Sequence, residues 1–377
     1  MQKGISKALV VFGTRPEAIK LAPLVKALQA RPDRFETVVA VTAQHREMLD
    51  QVTSLFGIVP DHDLAIMAHG QTLSQVLTRS VDGLDRILEL EEPDVCLVQG
   101  DTTTTLAAGL SAFYRKVPVG HVEAGLRSFD FHHPFPEEAN RRLVSVLADW
   151  HFAPTALAAR RLESEGVSGD RIHVTGNTVI DALLEVSATD YEFSPGVIRD
   201  AIEANERIVL VTLHRRENWG EPVDRVCAAL IELVETFSDI HILFATHANP
   251  AIRAQVEQSL AGAPRIDLLG PLDYLPFVKL MDATTLILSD SGGIQEEAPS
   301  LGIPVLVMRE VTERPEATEA GTVQLVGTET ARIVAEATRH LSGMGASPLA
   351  LQVANPFGDG SAARQIVDIL DRVVAIR

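Results

Sequence analysis

Two kinds of sequence pattern take turns along this chain, and that alternation limits its fold more than any other feature. Ala8–Phe12, Val38–Val41, Val95–Val98 and Val117–Val119 are short β-branched runs bounded by polar residues, Gly or Pro. Between them lie the amphipathic stretches Ala18–Leu28, Leu73–Leu90 and Thr104–Phe113. In Leu73–Leu90 the apolar positions 73, 76, 77, 81, 84, 87 and 88 follow helical spacing. Strands apolar on both faces, alternating with helices, imply a parallel sheet covered on both sides. The pattern restarts with strands at Ile208–Leu213, Ile240–Ala245, Ile266–Leu269, Thr285–Leu288 and Val305–Val307 and helices at Val223–Phe237 and Ile294–Leu301. At 377 residues the chain exceeds one average domain. The expectation is an α/β protein of two Rossmann-like, doubly wound domains, residues 1–174 and 175–361, meeting near Thr175–Asp181. A last amphipathic helix, Ala362–Val374 within residues 362–377, follows the loop Asn355–Gly360.

In open α/β sheets, ligands sit beyond the carboxyl ends of the strands. That rule selects the loops Gly13–Glu17, Gly100–Thr105, His121–Ser128, His214–Trp219, Thr246–Pro250 and Ser289–Glu297, which hold most of the unusual polar chemistry. A site in a cleft faced by two domains is the expectation. Ser289–Glu297 reads Ser-Asp-Ser-Gly-Gly-Ile-Gln-Glu-Glu directly behind an apolar strand. A helix N-terminus carries unpaired N–H groups and partial positive charge, so Ser291, Gly292 and Gly293 suit a phosphate, with Asp290 and the Glu pair restricting which anion fits. A plain strand-to-helix turn would explain one glycine but not two glycines and two serines.

Composition narrows the partners. A formal net charge of −18 argues against nucleic acid, whose phosphates need clustered Lys and Arg. Cys96 and Cys227 both lie in apolar stretches, as packed thiols in a reducing, cytoplasmic setting would. The first apolar stretch ends at Gly13 and reads as a strand rather than a leader or membrane span. Asp61-His62-Asp63 lacks the strand-flanked context of an Asp-x-Asp metal site and reads as a solvated loop. Neither a Gly-x-Gly-x-x-Gly fingerprint nor a Walker-type Gly-Lys-Ser/Thr follows a strand, so no cofactor and no metal are expected.

Several side chains stand out against that background. Arg15 in Gly13-Thr14-Arg15-Pro16-Glu17 has a fork suited to phosphate oxygens, and a surface Arg beginning a helix is the less favoured alternative. Asp101, Glu123 and the pair Glu137-Glu138 each follow a strand or open a helix. Each alone could be a cap or an ion pair, but several acids converging on one crevice raise at least one pKa and make a proton carrier. His214 beside Arg215-Arg216 marks a place for negative charge, and His247 is a weaker instance of the same kind.

Gly13-Thr14-Arg15-Pro16-Glu17-Ala18-Ile19-Lys20, Gln99-Gly100-Asp101-Thr102, His121–Arg127, Pro136-Glu137-Glu138-Ala139-Asn140-Arg141 and Ser289–Glu297 together resemble the bacterial non-hydrolysing UDP-N-acetylglucosamine 2-epimerases. The similarity runs from about residue 8 to the end, with the motifs in order. It implies a glycosyltransferase-B-like fold whose final helix returns to the first domain. It also implies interconversion of UDP-GlcNAc and UDP-ManNAc for cell-envelope polysaccharide, with UDP as the leaving group, by a cytoplasmic homodimer. A diacetamido or oxidised UDP-sugar epimerase, a glycosyltransferase and a UDP-GlcNAc hydrolase are the alternatives.

The chemistry of that reaction agrees with the residues. The proton on sugar carbon 2 is not beside a carbonyl, and without NAD the open route eliminates UDP across carbons 1 and 2, then adds it back. Asp101, Glu123 and Glu137 are assigned to proton transfer, with His214 grouped among the catalytic residues and facing the diphosphate. Arg15, Arg314 and the N–H groups of Ser291, Gly292 and Gly293 complete the cradle. The resemblance places Glu297 on the ribose hydroxyls, Lys20 and His247 at the site, and Gln44 and His45 near an allosteric subsite. Gly70 stands where activated members carry an arginine. Leu272 replaces a polar residue near the uracil, leaving Phe277 for the base.

Overall fold

The computed structural model describes residues 4–42, 46–68, 70–215, 218–246, 250–343 and 354–374. It divides into two compact units, Met1–Ala182 with Phe357–Arg377, and Leu183–Pro356. The first division falls inside the helix Thr178–Ser187.

The first unit is built on a seven-stranded sheet. Its strands are β1 (Ser6–Phe12), β2 (Phe35–Val41), β3 (His62–Asp63), β4 (Val95–Gln99), β5 (Val119–Val122), β6 (Trp150–Ala153) and β7 (Ile172–Val174). The order is β3-β2-β1-β4-β5-β6-β7 and every pairing is parallel. Successive residues of β1 point to opposite faces, yet Ala8, Leu9, Val10, Val11 and Phe12 are all buried. Helices on both faces account for that. Leu9, Val11, Cys96 and Val98 pack with Leu84, Leu88, Ala108, Ala112 and Val144 from helices Leu73–Glu91, Thr103–Tyr114 and Glu137–Leu147.

The terminal helix Ala362–Val373 belongs to this unit. Asp181 accepts the N–H groups of Ala362 at 3.2 Å and Ala363 at 2.9 Å, covering orphan donors of the first turn. Ion pairs from Arg31 to Asp368 and Arg34 to Asp371 fasten its outer side.

The second unit repeats the plan with β8 (Arg207–Thr212), β9 (Ile240–Ala245), β10 (Ile266–Leu269), β11 (Thr284–Ser289), β12 (Val305–Val307) and β13 (Val323–Leu325). Its order is β10-β9-β8-β11-β12-β13, again all parallel. In each sheet the first strand sits centrally and the chain reverses direction of winding beside it. Those reversals, β1/β4 and β8/β11, are where the doubly wound plan leaves room for ligands at the strand ends.

Local departures from the sequence reading have physical causes. The run Val117–Val119 contains Pro118, which lacks an N–H, and β5 begins only at Val119. His62-Asp63, read as a solvated loop, is a short edge strand pairing with Ala40-Val41, anchored by Val39 N–H donating to Asp61 at 2.8 Å. The helix read as Ile294–Leu301 is α-helical over Gly292–Glu297 and then tightens to 3-10 geometry over Ala298–Leu301, which contains Pro299. Strands β6 and β7, Trp-His-Phe-Ala and Ile-His-Val, were missed because His and aromatic residues dilute the β-branched signal.

Candidate active site

In the first unit the site residues surround the β1/β4 reversal. Thr14 caps the helix Arg15–Gln29, and Pro16 occupies its first turn, where a missing N–H costs nothing. Gly13 is required by packing: a Cβ there would lie 2.2 Å from Thr42 Oγ1 and 2.4 Å from Thr104 Oγ1. Arg15 is half-buried at the start of the helix, and Lys20 follows further along it.

Gly100, at φ 71°, turns the chain out of β4 in the left-handed region and delivers Asp101. Arg141 pairs with the Asp101 carboxylate, and Asn140 Nδ2 donates to its carbonyl at 2.9 Å. Desolvation lifts the Asp101 carboxyl above its ordinary value, Glu123 adding to the rise while Arg141 and Lys20 oppose it. Two signs of charge therefore compete over one acid, as in sites that move protons.

Glu123, just past β5, is buried and itself left-handed at φ 63°. A non-glycine residue in that region carries strain, and contacts hold it there. Its Oε2 pairs with Lys20 Nζ and accepts Gln99 Nε2–H at 2.9 Å. Beneath it, His121 Nε2 lies 2.7 Å from the Gly100 carbonyl, which only accepts, so that nitrogen carries the hydrogen. Gly100 N–H donates to the Val122 carbonyl at 3.0 Å, so the ends of β4 and β5 are tied together.

Glu137 opens the helix Glu137–Leu147 half-buried, with Oε2 out of solvent and no hydrogen-bond partner among the described residues. Its neighbour Glu138 is fully buried and accepts Ser128 N–H at 2.9 Å, with Arg141 at 3.4 Å. Arg141 thereby links Asp101 to the helix that carries both glutamates.

In the second unit the corresponding reversal, β8/β11, holds His214 and the Ser-Asp-Ser-Gly-Gly loop. Asp290 is fully buried and turned inward, not toward a ligand. It accepts Arg215 N–H at 2.8 Å and Asn218 Nδ2–H at 2.9 Å, and its Oδ1 lies 3.0 Å from His214 Nδ1. Burial alone would raise its carboxyl, but the hydrogen bonds from His214, Arg215 and Asn218 hold it below its ordinary value. His214 keeps 41% of its side chain exposed. Ser289 is also structural, its Oγ 2.7 Å from Thr212 Oγ1 and accepting Ser291 N–H at 2.9 Å.

Ser291 occupies the cap position of the short helix Gly292–Glu297. A Cβ on Gly292 would meet Arg215 Nη2 at 3.6 Å and Arg314 Nη2 at 3.9 Å, so two guanidinium groups overlook the bare backbone. Arg314 is paired with Glu296, and Arg215 lies 3.2 Å from Glu313. Burial would push the Glu313 carboxyl up, but Arg309 and Arg215 bring it down to about 2. The Ser291 N–H expected in the cradle is taken by Ser289, so the first-turn N–H groups of Gly292 and Gly293, flanked by oriented guanidiniums, are what can receive a multiply charged phosphate. Glu297 is nearly buried at the end of the same helix, and Phe277 is half-buried in the helix Tyr274–Asp282.

Thus Arg15, Lys20, Asp101, Glu123 and Glu137 belong to the first unit, and His214, Phe277, Ser291, Gly292, Gly293, Glu297 and Arg314 to the second. Gln44, His45 and His247 lie outside the described residues. Among the described residues no group of three His, Cys, Asp or Glu could hold a metal ion. Sequence reasoning assigned no role to Gln99, Arg141, Asn218 or Glu17. For Glu17 a signal existed, since Thr14-x-x-Glu17 is a capping-box spacing.

Comparison with known proteins agrees over nearly the whole length. The family model described as UDP-N-acetylglucosamine 2-epimerase matches residues 26–371. UDP-N-acetylglucosamine 2-epimerase of Escherichia coli strain K12 is 53% identical over 371 residues, covering 97% of this chain and 98% of the relative. The crystal structure of UDP-GlcNAc 2-epimerase from Neisseria meningitidis bound to UDP-GlcNAc superposes with a TM-score of 0.85 at 47% identity, covering 97% and 99% of the two chains. A co-structure of S. aureus MnaA with UDP gives a TM-score of 0.87 at 44% identity, covering 99% and 98%. With two parallel α/β units, acids at one strand reversal and an anion seat at the other, the chain belongs to the UDP-N-acetylglucosamine 2-epimerase family.

Proposed function

We propose that this chain is a non-hydrolysing epimerase that interconverts UDP-GlcNAc and UDP-ManNAc by anti elimination of UDP and syn re-addition. One acid takes the proton from carbon 2, the electron pair of that C–H bond forms the C1=C2 double bond, and the C1–O bond to UDP breaks. The products of that half are 2-acetamidoglucal and UDP. In the return half a diphosphate oxygen bonds carbon 1, and carbon 2 takes a proton on the opposite face. The observation that carries this reading is the pairing of Asp101 and Glu123 on the joined ends of β4 and β5, with Asp101 lifted by desolvation and by Glu123. An acid held above its ordinary value next to one held by Lys20 and Gln99 suits transfer from one face and delivery to the other. Glu137 is the third member of this set.

UDP leaves as an anion and needs a preorganised cationic seat. We assign that to Ser291, Gly292, Gly293, Arg314 and His214, and to Arg15, with Glu297 on the ribose and Phe277 at the base. The relatives co-crystallised with UDP-GlcNAc and with UDP support this ligand class. The free, buried thiols of Cys96 and Cys227 suit a cytoplasmic enzyme supplying cell-envelope polysaccharide. Leu143 and Val146, 52% and 81% exposed on the helix Glu137–Leu147, support self-association as a homodimer, which light scattering at graded concentrations tests.

Incubation with UDP-GlcNAc in deuterated water tests the reaction. Epimerisation gives UDP-ManNAc carrying deuterium at carbon 2 without an acceptor. A transferase leaves carbon 2 unlabelled, a hydrolase accumulates free sugar, and an epimerase of another UDP-HexNAc labels that sugar instead. Asp101→Asn and Glu123→Gln should each lower exchange by about 10²–10⁴-fold while UDP binding survives. Normal turnover in either variant removes that residue from the set.

A further inference from the structure

Glu17 takes no direct part in the reaction above, yet it lies under the loops that carry Arg15 and Asp101. The residue is 1% exposed. Oε2 accepts Gly13 N–H at 3.1 Å and Thr14 N–H at 2.8 Å. Oε1 lies 2.7 Å from Thr102 Oγ1 and 3.1 Å from Thr105 Oγ1. Among the described residues no cation is paired with it.

Counting hydrogens decides its charge. A threonine hydroxyl has one hydrogen to give. Thr105 Oγ1 is 2.7 Å from the Gln99 carbonyl, which can only accept, so the Thr105 hydrogen goes there. Toward Glu17 Oε1 and toward Thr102 Oγ1, 3.0 Å away, Thr105 then presents lone pairs alone. Thr102 has one hydrogen, and its shorter contact is the one to Glu17. An ionised Glu17 would therefore face the Thr105 oxygen at 3.1 Å with no hydrogen between them. A hydrogen on Oε1, donated to Thr105, closes that contact and leaves Oε2 as a carbonyl oxygen accepting two N–H groups.

We propose that Glu17 is a neutral acid in the folded protein and a positioning residue, locking the Arg15 loop to the Asp101 loop across the β1/β4 reversal. Burial, which pushes its carboxyl up, works in the same direction. An unpaired buried charge would also be costly, whereas a protonated acid with filled hydrogen bonds is not. Asp290 occupies the matching reversal in the second unit and shows the opposite solution. Among the described residues its side-chain partners are N–H groups and the His214 ring, and they hold its carboxyl below the ordinary value, which keeps it ionised at neutral pH. The two units thus use one buried acid each at the same topological point, in opposite protonation states.

The test begins with infrared difference spectra of wild type minus Glu17→Gln at pH 7. A carbonyl-stretch band of a protonated carboxyl, shifted in deuterated water, is expected, and a Thr105→Val variant should move it. The absence of that band, with only carboxylate bands lost, overturns the neutral assignment. The second arm rests on the proposed epimerisation. Glu17→Ala should lower kcat by about 10²-fold through misplacement of Asp101 and Arg15. Glu17→Gln should rescue it, because the amide supplies the hydrogen toward Thr105 and the carbonyl accepts both N–H groups. UDP affinity should fall in Glu17→Ala and return in Glu17→Gln, because Arg15 belongs to the proposed diphosphate seat. Wild-type turnover in Glu17→Ala, or no rescue by Gln, refutes the positioning role. The infrared arm needs no substrate, so its result stands whatever sugar the protein turns over.

Discussion

Acid should unfold the first unit through two histidines that have no role in the reaction. His121 on β5 and His151 on β6 are register partners on neighbouring parallel strands, so their rings project from the same face of the sheet. Both are fully buried, and among the described residues neither ring nitrogen of His151 has a hydrogen-bond partner. Burial pushes His121 down to about 4, with Arg127 adding to the fall. Burial, His121 and Arg171 push His151 down to about 3. Both folded values lie below the ordinary 6.5. Above pH 6.5 both states are neutral and the full stability is present. As pH falls from 6.5 toward the folded values, only the unfolded chain takes up protons, and stability is lost.

Each such histidine contributes a slope of about 1.4 kcal/mol per pH unit in that window, so by pH 4.5 the pair removes about 5 kcal/mol. That is a large share of the 5–15 kcal/mol typical of a folded protein. The chain has two tryptophans, Trp150 in the first unit and Trp219 in the second. Urea titrations of a Trp219→Phe background therefore report the first unit through Trp150, next to the histidine in question. His151→Leu should be as stable as its parent at pH 7, because it removes an unpartnered polar group. Between pH 6 and pH 4.5 the variant should gain about 2 kcal/mol on its parent. Carboxylates also titrate there, but they are common to both proteins. Parallel stability curves for parent and variant would refute the reasoning.

Three further substitutions probe backbone and loop. Gly125 sits at φ 93°, where a Cβ would be 2.3 Å from the Ala158 carbonyl oxygen, whereas Gly57 at φ 68° has open space around it. Gly57→Ala should cost about 1–2 kcal/mol of left-handed strain, and Gly125→Ala about 1–3 kcal/mol more, with calorimetry separating the two. Equal melting temperatures would sink the packing account. Asn218→Ala removes a buried donor from ionised Asp290 and should destabilise the second unit by about 1.5–3 kcal/mol. Titration calorimetry should show weaker UDP binding as the His214 loop loosens, and unchanged affinity would argue that the brace is dispensable.

Much of the fold could be read from the chain before folding. Strand and helix identity follow from spacing a few residues long, and β1, β2, β4 and β8 through β12 appear where apolar runs stand alone. The rule that ligands gather at strand ends then picked out loops around Asp101, Glu123 and Ser291 without any contact information. Short-range pattern sufficed because it reports only which face of an element is apolar. What each acid does was decided by partners far away in sequence. Asp290 and Asp101 look alike as loop aspartates, yet one is sealed under the loop at His214–Asn218 and the other is lifted by desolvation beside Glu123. Glu138 is spent on the Ser128 backbone while its neighbour Glu137 keeps an oxygen without a partner among the described residues. Glu17 meets Thr102 and Thr105 across more than eighty residues. Charge state depends on solvent exclusion and on which hydrogens arrive from other strands, and those exist only once the sheet has closed its order.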